Sequence, residues 1–149
     1  MRPLLPLMLV SFAIAGCGGD GDSSGSDKDA IFRSVNAANE AFAQGDYSRA
    51  CSHYVLAIRR QLAAGAQVKT CPEAWAAIDA TLRRSLTPSE FDALTSYGLE
   101  SAEVEGDTAT GAYGEPPASI NGRLGIRSGA TIQLRKVDGR WLIASLPAS

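Results

Sequence analysis

Few side chains in this chain could carry chemistry. There are three cysteines, Cys17, Cys51 and Cys71, and one histidine, His53. A thiol can be acylated, oxidised or bound to metal, and an imidazole can move protons near neutral pH. Proton transfer in an apolar pocket would need an acid or base whose pKa burial has moved. The candidates are His53, Asp79, Tyr54, Tyr97 and Tyr113. His53 adjoins Tyr54 on its helical stripe and reads as a solvent-edge residue. Asp79 follows Ile78 and is expected on the exposed side of its helix. Tyr54, Trp75, Tyr97 and Tyr113 can fill a core or line a pocket, each ring pairing a large apolar body with a polar tip. Asp20, Asp22 and Asp27 could suggest calcium, but their spacing lacks the closing glutamate of a calcium loop. The sequence has no glycine-rich phosphate loop, no metal-ligand cluster and no Ser-His-Asp spacing, so no cofactor or metal is expected.

The elements that must position these residues show in the periodicity. Ile31, Val35, Ala38 and Phe42 recur at helical spacing. Gly45 closes that helix, and Asp46 is suited to cap the next. Tyr47, Cys51, Tyr54, Ile58 and Leu62 form one stripe, which predicts a single second helix ending at Ala63-Ala64-Gly65. Pro72 suits the first position of a third helix lined by Trp75, Ile78 and Leu82. Thr87-Pro88-Ser89-Glu90 is a capping-box pattern for a short fourth helix. The period then changes. Residues 98–105 end in Ala102 and Val104 alternating with charged residues, Gly106-Asp107 signals a turn, and 108–113 can return as a strand. Residues 114–122 contain Pro116-Pro117 and read mainly as a loop. Ala130, Ile132 and Leu134 alternate with polar residues as a half-buried strand. Asp138-Gly139 is a strong hairpin signal, from which 141–146 pairs back. Helices followed by an antiparallel meander make an α+β domain.

Composition bounds the function. Hydrophobic residues make up 45% and charged residues 20% of 149 residues, with a net charge of −2, an ordinary globular balance for one domain. A nucleic-acid binder would need a concentrated basic face, and none is evident. Arg59-Arg60 and Arg83-Arg84 are the densest basic spots. Both are expected at helix C-termini, where cations complement the dipole.

The amino end has an address. Arg2 precedes an apolar run from Leu4 to Ala15, too short to span a bilayer as a helix. The run ends Ile14-Ala15-Gly16-Cys17, which resembles the lipobox of bacterial lipoproteins. That resemblance implies a diacylglyceryl group on the Cys17 sulfur and cleavage before it. Residues 1–16 would be the signal peptide, and two acyl chains would hold the protein on the extracytoplasmic face of the cell membrane. Residues 17–28 carry glycine, serine and aspartate in abundance and few apolar groups, and are expected to form a flexible tether. Residues 29–149 form the body. With Cys17 lipidated, Cys51 and Cys71 remain in an oxidising compartment, where a pair usually joins as a disulfide. A reactive or metal-binding thiol, with His53 as its partner, is the alternative.

Gly45-Asp46-Tyr47, Gly106-Asp107-Thr108-Ala109 and Asp138-Gly139-Arg140-Trp141, in this order, resemble the NTF2-like superfamily, and most of all its small SnoaL-like lipoproteins. The resemblance implies a cone: N-terminal helices packed on a strongly curved antiparallel sheet, often around a small-molecule pocket. Tyr54, Trp75, Tyr97 and Tyr113 are the candidate pocket residues. The function expected is a non-catalytic module for a small hydrophobic ligand or an envelope protein. The alternative is an isomerase-like or hydrolase-like enzyme with a carboxylate or His53 in the pocket beside a tyrosine hydroxyl.

Overall fold

The computed structural model describes residues 22–124 and 127–147, with side chains from residue 25 onward except at 122 and 123. The expected signal peptide and Cys17 lie outside the described residues. The fold is α+β: five helices, a two-stranded hairpin, a sixth helix and a second hairpin.

Helix α1 (Asp22–Ala43) is longer than the pattern from Ile31 to Phe42 required. Residues 22–28, expected in the tether, continue the helix. Asp27 explains why: its Oδ1 accepts from Lys136 Nζ at 2.8 Å and from Trp141 Nε1 at 3.0 Å, tying the first turns of α1 to the sheet. This carboxylate is therefore committed to a lysine and an indole.

The second expected helix is two helices. After α2 (Tyr47–Ser52), capped by the Asp46 side chain, the chain leaves helical geometry before α3 (Leu56–Gly65) begins. The interruption serves the sheet. Tyr54 forms a parallel bridge with Ile143, His53 O accepts from Ile143 N at 2.8 Å, and Val55 N donates to Ile143 O at 2.9 Å. Residues 53–55 thus cover an edge that would otherwise present unpaired backbone groups. The break also moves Arg59-Arg60 into the N-terminal half of α3, and that helix has no basic residue in its last turn. Arg83 and Arg84 do lie in the last turn of α4 (Cys71–Ser85).

Helices α4 and α5 (Pro88–Thr95) each begin with a complete capping box, Thr70 with Glu73 and Thr87 with Glu90, and each has proline in the first turn. Strands β1 (Leu99–Glu105), β2 (Thr108–Tyr113), β3 (Thr131–Val137) and β4 (Arg140–Ile143) form one antiparallel sheet in sequence order. In the β3–β4 turn Asp138 and Gly139 both take positive φ, the geometry of a two-residue primed turn. Gly111 lies within β2 because a Cβ there would sit 2.7 Å from a Leu99 methyl. Residues 114–122 are not all loop. Helix α6 (Ala118–Leu124) forms within them, started by Pro117 O, which accepts from Ile120 N and Asn121 N, and anchored by fully buried Ile120.

One face of the sheet is apolar and the other polar. Ala102, Ala109, Ile132, Leu134, Trp141 and Ile143 are buried against Ile31, Val35 and Ala38 of α1, with Tyr54 and Ile58. Beyond Ala38 the same helix enters a second cluster: Ala41 and Phe42 pack with Ala50, Leu86 and Phe91. Helix α1 therefore joins a sheet core to a helical core.

Candidate functional site

The two cores do not close completely over each other. Between them lies a cavity of about 350 Å³. Ala38, Asn39 and Phe42 of α1 line it, with Ala50 and Tyr54 from the α2–α3 region and Trp75 and Leu82 of α4. Leu94 and Thr95 of α5, Tyr97, Tyr113 and Leu124 complete the walls, with Arg127, Ala130 and Pro147 from the loops. The four sequence candidates, Tyr54, Trp75, Tyr97 and Tyr113, thus come together in one place. The size lies at the lower end of the range for small-molecule sites.

Five aromatic side chains, Phe42, Tyr54, Trp75, Tyr97 and Tyr113, are among the walls. Trp75 stands 5.1 Å from Phe42 and 5.8 Å from Tyr54, centroid to centroid, both tilted. Tyr97 and Tyr113 stack at 5.2 Å. A disulfide joins Cys51 to Cys71. Tyr54 follows the first cysteine by three residues and Trp75 follows the second by one helical turn, so the bond fixes two walls against each other.

The three tyrosines differ in their polar ends. Tyr97 is anchored: its hydroxyl donates to Gly114 O at 2.7 Å, and its carbonyl accepts from Asn39 Nδ2 at 3.0 Å. Tyr54 is 9% exposed and its hydroxyl has no hydrogen-bond partner among the described residues; the Tyr113 hydroxyl likewise has none. Burial pushes the Tyr54 phenol well above its ordinary range, with Tyr113 contributing. Burial also raises Tyr113, with a smaller contribution from Tyr97. Both are therefore neutral phenols at physiological pH, able to donate to an oxygen inside the cavity. Trp75 Nε1 is buried and also unpartnered. Three polar groups without partners in the cavity are groups a ligand can satisfy.

His53 is not in the lining, and neither is any carboxylate among the described residues. The histidine is half-buried and lies beside Ser34. Ser34 Oγ donates to Trp141 O at 2.8 Å, which commits its one proton. His53 Nδ1, 3.3 Å from Ser34 Oγ, must then carry the hydrogen and donate it. Burial lowers the His53 pKa, and Arg140 and Arg49 lower it further.

Asp79 is buried, against the expectation of an exposed residue. It accepts from the Tyr47 hydroxyl at 3.0 Å and binds Arg83 Nε at 2.8 and 2.9 Å. Arg83 also reaches Ala43 O and lies over the Phe91 ring. This cluster clamps the ends of α1 and α2 to α4 and α5. Its partners lie four positions or whole helices away, which is why the neighbour Ile78 was a poor guide. Asn39 and Arg127 of the cavity were missed by sequence reasoning. Asn39 follows the stripe residue Ala38 and could have been found from that position, whereas nothing local marks Arg127.

Among the described residues no group of histidine, cysteine and acidic side chains could hold a metal ion, and no helix is long and apolar enough to cross a membrane. Compared with known proteins, the chain matches no family model, no curated protein and no solved structure.

Proposed function

We propose that the chain is a lipoprotein held at the extracytoplasmic face of the cell membrane through Cys17, and that its body is a non-catalytic module binding a small hydrophobic ligand. The cavity carries this reading: aromatic walls, a volume fit for a compact molecule, and the unpartnered hydroxyls of Tyr54 and Tyr113. The ligand class that fits is mostly apolar with an oxygen acceptor, such as a carbonyl or ether, placed between the two phenols. The finer fold reading, an NTF2-like cone, is supported by helices leading into the meander, by α1 across the apolar face, and by a cavity where helices meet sheet. The signal-like run and its Cys17 terminus support the anchor.

Binding rather than turnover is favoured by the position of the acid–base candidates: His53 and Asp79 are both engaged elsewhere. The experiment is a thermal-shift screen of compact apolar carbonyl and ether compounds against the full chain in neutral detergent, repeated on Tyr113→Phe. Binding that raises the melting temperature, and weakens about fivefold in the variant, supports the reading; one neutral hydrogen bond is worth about 1 kcal/mol. Turnover of any such compound, or hits indifferent to Tyr113→Phe, would reject it.

A further inference from the structure

A shallow groove lies beside the Cys51–Cys71 disulfide. The sequence places Arg59 and Arg60 in tandem, and dipole complementation was the ordinary reason to expect them. That reason fails, because they stand in the N-terminal half of α3, where the dipole favours anions. Nor does pairing explain them. No carboxylate lies within ion-pair distance of Arg59, Arg60 or Lys69 among the described residues. The three cations nevertheless line one shallow groove of about 310 Å³, with Ser48, Leu56 and the Cys51–Cys71 bond. The nearest acid in sequence, Glu73, is occupied in capping α4, accepting from Lys69 N and Thr70 N.

Arg59 supplies a separate observation. Its Nε is buried, with no hydrogen-bond partner. A guanidinium N–H lacking an acceptor is costly to bury, and an anion in the groove would offset that cost through the charge of the guanidinium as a whole. Lys69 and Arg60 would add charge, and the Ser48 hydroxyl a neutral donor. The disulfide holds the floor of the groove rigid, since it joins α2 to the start of α4. Leu56, at 51% exposure, is the most exposed large apolar side chain among the described residues, and it borders the same groove.

We infer that the groove of Ser48, Arg59, Arg60 and Lys69 is a binding site for a phosphate oxyanion. The fork of Arg59 and the point charge of Lys69 suit a tetrahedral anion with several acceptor oxygens. Inorganic phosphate and a phospholipid head group share this chemistry. Exposed Leu56 at the border favours the head group, because an apolar side chain beside cations suits the lipid–water boundary. The inference does not depend on what occupies the aromatic cavity.

The test is a titration of the isotope-labelled full chain in neutral detergent micelles, read from amide and arginine Nε–H resonances. Two probes are used, inorganic phosphate and glycerophosphoglycerol, the deacylated head group, with chloride at matched ionic strength as control. Saturable shifts confined to the surroundings of Ser48, Arg59, Arg60 and Lys69, including the Arg59 Nε–H, are expected. Affinity should fall at least tenfold in the double variant Arg60→Gln, Lys69→Gln, whose exposed positions spare the fold, and also in Arg59→Met where that variant keeps its melting temperature. Binding of both probes assigns the head group as a ligand, and binding of phosphate alone assigns the free anion. Equal shifts with chloride, or affinity unchanged in the double variant, overturn the site.

Discussion

His53 shows how much a single residue's role depends on partners distant in sequence. Burial, and then the nearby Arg140 and Arg49, disfavour the charged imidazole in the folded chain. Burial, the largest cause, and the two arginines all act in the same direction. The folded pKa is below the ordinary 6.5, so as pH falls the unfolded chain takes up the proton first. The stability held above the ordinary value is therefore lost as pH drops through 6.5 toward the folded pKa. The melting temperature should decline between pH 7 and pH 5, and His53→Gln should flatten that decline; a variant as acid-sensitive as the parent would assign the effect to other groups. The sequence marks His53 as singular but not as neutral, because Ser34, Trp141 and Arg140 reach it only through the tertiary fold. Tyr54 and Trp75 were more legible. Their stripe positions demanded burial, and large rings that cannot close on one another leave space.

At the scale of elements, local signals were read correctly where their partners are local. The capping boxes at Thr70 and Thr87 start α4 and α5, and Asp138-Gly139 turns β3 into β4. The break at His53–Val55 was invisible because its cause, pairing with Ile143, lies some ninety residues away. Helix α6 was missed because prolines announce a loop as readily as a helix start. The disulfide matters at this scale, since it ties α2 to α4 across a separation of 20 residues. Cys51→Ser should lower unfolding free energy by about 3 kcal/mol in the chain-entropy account. Urea denaturation measures this, and a midpoint equal to the parent's would show the bond does not limit the unfolded chain. Asp27 gives a smaller, local effect. Lys136, then Trp141, hold its carboxyl below the usual range, so its contribution is present above the ordinary 3.8 and lost as pH falls through the lowered value. Asp27→Asn should accelerate amide exchange in residues 25–30 while the core around Ile132 and Leu134 stays protected. Unchanged exchange in the first turns of α1 would mean Ile31 alone seats the helix.

For the whole molecule, α1 is the member through which membrane and binding site can be related. It runs from Asp22, shortly after the expected lipid-bearing cysteine, along the sheet and into the helical core, where Phe42 meets Trp75. The expected tether of residues 17–28 would have let the body move freely about its anchor. Helix from Asp22 onward leaves few residues between Cys17 and a rigid element, so under the proposed anchor the body would be held close to the lipid surface. An anchor so placed would make membrane attachment separable from the stability of the body. Cys17→Ser should remove attachment altogether: the protein should pass from the detergent phase to the aqueous phase on partitioning, and its intact mass should lack the diacylglyceryl addition. The body should keep its parent melting temperature, because the Asp27 latch, the Cys51–Cys71 bond and both cores lie beyond the substituted position. Continued detergent partitioning of the serine variant would remove the anchor and, with it, the extracytoplasmic placement. A loss of melting temperature would instead make Cys17 part of the folded unit.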